Sequence, residues 1–131
     1  MATAQQIEDY LIRTDLPFEN IGEGLWVIHD EYDHIGNIVV NYIDPIVMLR
    51  VKIMEVPEGG NKALFRTLLE FNATELVHGA FALEGNNIVV LDTLQAENLD
   101  FNEFQASLDA LTLALAQLYP RLARFHKKAT E

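Results

Sequence analysis

Between Asn61 and Leu122 the chain spells out a helix, a hairpin and a second helix in unbroken succession, and this order constrains the fold more than any other feature. The turn-forming run Pro57-Glu-Gly-Gly leads to Asn61, placed to cap a helix in which Ala63, Leu64, Phe65, Leu68, Leu69 and Phe71 meet few polar interruptions before Asn72. Gly79–Leu83 and Ile88–Leu94 then read as strands joined through Glu84-Gly-Asn-Asn87, whose glycine and asparagines accept the positive φ of a tight hairpin. Asp100 with Glu103 forms a capping box, and Leu99 with Phe104 a hydrophobic staple, so two signals agree on where the last helix starts. From there Phe104, Leu108, Leu111, Leu115, Leu118 and Leu122 recur at alternating spacings of four and three, a single core-facing stripe. Pro120 is expected to kink or end that helix.

The first sixty residues read differently. Thr3 and Gln6 make a capping box for a helix over about residues 4–14, with Ile7, Tyr10 and Leu11 on one face, and Pro17 forbids its continuation. The apolar pattern then shifts to period two, predicting strands at Leu25–Ile28, Asn37–Ile43 and Ile46–Met54, with Asp44-Pro45 turning between the last two. In the third of these, Val47, Leu49, Val51 and Ile53 point one way while Met48, Arg50, Lys52 and Met54 point the other. The expected architecture is α+β: a twisted antiparallel five-stranded sheet with three helices, in the order α-β-β-β-α-β-β-α. No repeat, low-complexity segment or linker interrupts the 131 residues, so a single domain is expected over 1–131, with residues 123–131 as a basic C-terminal tail.

Charge excludes several functions. The net charge is −11, and residues 1–49 hold nine acids against the single base Arg13. Such a field repels phosphate backbones and anionic lipid, which argues against nucleic-acid and membrane-surface binding. Only Arg121, Arg124, Lys127 and Lys128 at the far end run against it, and cations there complement a helix C-terminal dipole. The absence of cysteine excludes disulfides, thiolate zinc sites and cysteine nucleophiles, and fits a reducing compartment. The start carries neither a basic segment nor an apolar signal core, and no apolar run approaches membrane-spanning length, so the expected location is the cytoplasm.

Candidate chemistry is sparse. His29-Asp-Glu-Tyr-Asp-His34 brings two imidazoles and three carboxylates into six residues, but on a segment reading as a hairpin loop, without the helical His-Glu-x-x-His spacing. Gly59-Gly-Asn-Lys62 ahead of a helix is too short for a phosphate loop. The one serine, Ser107, sits mid-helix between Ala106 and Leu108, where no nucleophile elbow can form. His78 and His126 have no sequence partner that would tune them. No catalytic, cofactor or metal residue is assigned, and a non-enzymatic protein is expected.

The helix over Lys62–Phe71 has more apolar surface than one face of a sheet needs, since roughly 100° of arc suffices for that. Phe65 and Leu69 form the surplus flank, covered either by a second subunit or by a loop or the terminal helix of the same chain.

Ala63-Leu-Phe-Arg-Thr-Leu-Leu-Glu-Phe-Asn72, the hairpin Gly79-Ala-Phe-Ala-Leu83 with Ile88-Val-Val-Leu91, and Leu99-Asp100 before Phe104 together resemble the type III secretion chaperone-like fold. The likeness runs from Ile7 to Leu122 and is closest to the YbjN-type domain and the Tir-chaperone group of class I chaperones. The resemblance implies an antiparallel sheet with helices packed on it, often a homodimer formed through the middle helix. It also implies binding of an extended segment of a partner protein without catalysis or cofactor. The residues expected at the dimer or partner interface are Phe65, Leu69, Met48, Arg50 and Lys52. The alternative on the same fold is a YbjN-like regulatory domain binding a small molecule or metal, with His29 and His34 as its ligands.

Overall fold

The computed structural model describes residues 3–30 and 36–130. Among the described residues the chain forms α1 (Ala4–Arg13), β1 (Phe18–Gly22), β2 (Leu25–Asp30), β3 (Gly36–Ile43), β4 (Ile46–Glu55), α2 (Lys62–Thr74), β5 (Ala80–Glu84), β6 (Asn87–Gln95) and α3 (Phe101–Thr130). One antiparallel sheet contains all the strands in the spatial order β1-β2-β3-β4-β6-β5. The sheet is six-stranded, not five-stranded, because β1 precedes the strands that periodicity reveals. β1 is an edge strand whose three central residues are all exposed, so it lacks the apolar alternation that marks a half-buried strand. Its turn into β2 depends on Gly24, at φ +64° with Tyr42 O only 2.9 Å from where a Cβ would stand.

Register places Trp26 and Ile28 of β2, Ile38 and Val40 of β3, Val47, Leu49 and Val51 of β4, Ile88 and Val90 of β6 and Phe81 of β5 on one face. These residues are buried and form one core with Ile7 and Leu11 of α1, Leu64, Leu68 and Phe71 of α2, and Phe104, Leu108, Leu111, Leu115, Leu118 and Leu122 of α3. Every residue of the expected α3 stripe is thus inside. On the opposite face Val27 and Val89 are buried without joining this core.

Helix starts follow the sequence with one exception. The Thr3–Gln6 capping box forms in both directions, at 2.8 and 3.2 Å. Asp100 Oδ1 accepts from the Glu103 amide at 2.8 Å, and Leu99 and Phe104 both lie in the core. Asn61, by contrast, gives α2 no side-chain cap; its Nδ2 turns back and donates to Pro57 O and Gly59 O, fixing the preceding loop instead. Pro120 does not end α3, which continues through the basic segment from residue 123 to Thr130.

The helices are cross-linked by aromatic and charged groups. Tyr10 donates to Leu99 O at 2.9 Å and its ring packs against Phe101 and Phe104, tying α1 to the start of α3. Near the other end, Arg121 lies 4.6 Å above the Phe71 ring and bonds Glu75 at 3.3 Å, tying α3 to the end of α2.

Candidate protein-binding surface

α2 lies beside the edge strand β5, with its Phe71 ring 6.1 Å from that of Phe81. Leu64, Leu68 and Phe71 are spaced to face the core, which leaves Phe65 half-buried and Leu69 68% exposed on the neighbouring flank. Across from them β5 offers Phe81, Ala82 and Leu83, the last 55% exposed. The result is a groove of about 310 Å³ lined by Phe65, Leu68, Leu69, Asn72, Phe81, Ala82 and Leu83. Asn72 is the sole polar residue in that lining. Its carboxamide spans to β5, accepting from Phe81 N–H at 2.7 Å and donating to Phe81 O at 3.2 Å. In the described chain, therefore, neither a loop nor α3 covers the Phe65–Leu69 flank.

Met48, Arg50 and Lys52 lie on the opposite face of the sheet from the core. Arg50 is directly across from Val39 on β3 and Leu91 on β6, and Met48 from Asn41 and Thr93. The Arg50 Nη1 donates to both carboxylate oxygens of Glu84, at 3.0 and 2.9 Å, and Lys52 pairs with Glu55 at 3.6 Å. A depression of about 390 Å³ between Asn37, Val39, Arg50, Lys52, Glu84, Asn87 and Val89 marks this face. The five expected interface residues thus occupy two surfaces that adjoin at the end of β5, where Leu83 lines the groove and Glu84 holds Arg50. A bulge between Lys52 and Met54 ends the strict alternation of β4, so that Ile53 and Met54 both reach the core as half-buried residues.

Of the candidate ligands, His34 lies outside the described residues. His29 sits on the outer face of β2, with Nε2 3.2 Å from Glu19 Oε1 and Nδ1 3.3 Å from Asn37 Oδ1. Among the described residues no group of three or more histidine and acidic side chains could hold a metal ion. Ser107 is 3% exposed on the core face of α3. No helix of the described chain is long and apolar enough to cross a membrane.

Sequence patterning does not reveal two contributors to the groove. Leu83 belongs to it because β5 is an edge strand, a matter of sheet order. Asn72 belongs because nine residues later the chain returns antiparallel past the end of α2. Neither fact has a local signature.

Solved structures of type III secretion chaperones and of YbjN share this fold, in which three helices contribute to one core on a single face of an antiparallel sheet. The sequence profile of the CesT_Tir_1 family matches residues 1–128, and the chain belongs to that family. It is similar in structure to a chain of the ExoU–SpcU complex from the type III secretion system of Pseudomonas aeruginosa, with a TM-score of 0.67 at 16% identity over 91% of this chain and 96% of that one. YbjN from E. coli matches at a TM-score of 0.67 and 12% identity, covering 92% and 96% of the two chains. The Yersinia pestis type III secretion chaperone SycH, in complex with a fragment of YscM2, gives a structure matched at 0.61 and 13% identity over 86% and 96%. No curated protein sequence matches the chain.

Proposed function

We propose that this domain is a non-enzymatic, chaperone-like binding protein that self-associates through the α2–β5 groove and holds an extended segment of a partner protein. The observation that carries the reading is the groove itself, where Phe65, Leu69 and Leu83 expose apolar surface on adjoining elements. A groove lined almost wholly by apolar side chains is suited to packing against another such surface, not to polar chemistry. Met48, Arg50 and Lys52 offer the second surface, where two bases, each paired with a carboxylate of the same chain, stand among half-buried apolar residues. Similar structures include a type III secretion chaperone bound to a fragment of another protein, which supports a segment of a protein as the ligand here.

Light scattering at micromolar concentration tests the self-association. The wild-type protein should have twice the mass of the chain, and Phe65→Glu with Leu69→Glu should give a folded monomer. A wild-type monomer would overturn the reading. Affinity purification with mass spectrometry then distinguishes a single stoichiometric partner, as a chaperone for one client requires, from a broad complex.

A further inference from the structure

Among the described residues β5 ends the sheet and pairs only with β6. Along an antiparallel pair, alternate residues turn their N–H and C=O toward the neighbouring strand and away from it. Glu84 and Asn87 flank a two-residue turn and so form a mutually bonded pair, followed at period two by Ala82 with Val89 and Ala80 with Leu91. Phe81 and Leu83 therefore turn their main-chain groups outward. Within Ala80–Glu84 they alone do so, and an added strand would need both to begin a ladder.

Asn72 already occupies the first of these positions. A primary carboxamide carries the same donor and acceptor as a peptide group. Its bonds of 2.7 Å to Phe81 N and 3.2 Å to Phe81 O reproduce one rung of a paired strand.

We infer that Asn72 is an edge-closing residue: by filling the Phe81 rung of β5 it keeps the sheet from continuing into a second copy of this chain, so that the adjoining groove receives its partner by side-chain packing alone. The closing of the edge goes beyond the proposed function and holds whatever state the wild-type protein adopts, while the part about the groove rests on that function. An open edge beside exposed apolar side chains templates edge-to-edge pairing, and proteins blunt such edges with lysine, proline, an inward-pointing charge or a cover. The sequence Ala80-Phe-Ala-Leu-Glu84 contains no lysine or proline, and its one charge, Glu84, is on the outer face with Arg50. Leu69 and Leu83, both exposed in the groove that Asn72 and Phe81 also line, supply the apolar flank that would bury on pairing.

The test compares wild type, Asn72→Ala, Asn72→Asp and Asn72→Ala with Leu83→Pro, each first shown by circular dichroism to retain the fold. Hydrogen exchange at the Phe81 amide, light scattering from micromolar to millimolar concentration, and the amide I infrared band are then recorded. Wild type should protect the Phe81 amide. Asn72→Ala should lose that protection at the lowest concentration, and with rising concentration should grow in mass and develop an intermolecular β band. Asn72→Asp keeps the acceptor for Phe81 N–H but places a charge beside Phe81 O, and should stay at the wild-type mass with its Phe81 amide protected. Proline at position 83 removes the other outward donor without touching the β6 ladder, and should return the alanine variant to the wild-type mass. The inference fails if Asn72→Ala exposes the Phe81 amide yet keeps wild-type mass and spectrum. It also fails if the mass grows without a β band, or still grows with proline at position 83. Should Asn72→Ala not fold, Asn72→Leu replaces it with the same three readouts.

Discussion

Asp92 of β6 stands directly across from Leu49 of β4 on the core face, 7% exposed, with its Oδ2 buried and without a hydrogen-bond partner among the described residues. Burial raises the Asp92 carboxyl above its ordinary value, and the attraction of His78 and a bond from the Thr93 backbone offset only part of this. A carboxyl raised by folding binds its proton more tightly in the native state. Its contribution favours the fold below the unfolded carboxylate value near 4 and is lost as pH rises through the folded value. Asp92→Asn should therefore raise stability at pH 7, on the order of 1 kcal/mol, and flatten the decline in stability above pH 4. Urea unfolding midpoints at a series of pH values measure both, and an asparagine variant less stable at pH 7 with an unchanged pH slope would refute the assignment.

Leu68 and Leu69 are neighbours on α2 with opposite exposure, 6% against 68%. Leu69→Asp should change folding stability by no more than about 0.5 kcal/mol while abolishing self-association. Leu68→Asp places a charge in the core and should prevent folding. Denaturant titration paired with sedimentation separates the two effects, and a dimeric Leu69→Asp would count against the groove as the self-association surface.

The α3 stripe permits an internal control. Leu111 is fully buried and Leu113 is 61% exposed on the same helix. Leu111→Ala should cost about 2–5 kcal/mol through lost burial and a residual cavity. Leu113→Ala should cost close to nothing, because alanine is the better helix former and no packing is removed. Thermal melts of the pair decide this, and similar losses for both would contradict the orientation of α3.

Arg121 combines an ion pair with Glu75 and a stack on Phe71. The ion pair is exposed and screened, so the stack should carry more of the effect. Arg121→Lys, which keeps the charge and loses the planar group, should be destabilised by about 0.5–1 kcal/mol. Glu75→Gln should be destabilised by less. Equal losses in dilute buffer that both vanish in 1 M salt would show instead that charge dominates.

Legibility in the sequence varies with how local each cause is. The Thr3–Gln6 and Asp100–Glu103 caps join residues three apart, and the Phe104–Leu122 stripe repeats within one helix, so all three can be read directly from the order of residues. β3, β4 and β6 show themselves because one or both faces are buried. β1 escapes a periodicity reading because burial touches only its ends. Asn61 is ambiguous because asparagine suits both a cap and a turn, and the choice between them is settled by Pro57 and Gly59, whose carbonyls its side chain reaches. The surplus arc on α2 is readable as a quantity, while what it faces is not.

The sequence by itself determined the helices, the Thr3 and Asp100 caps, the central strands, the acidic balance and the apolar excess of Lys62–Phe71, since each rests on composition or on neighbours within a few residues. Only the tertiary structure decided that β5 lies at the sheet edge, that Leu83 joins Phe65 and Leu69 in one groove, and that Asn72 completes the Phe81 rung. These depend on strand order and on the path from α2 to β5. Sheet order is set by long-range pairing, which leaves no periodic trace in any single segment.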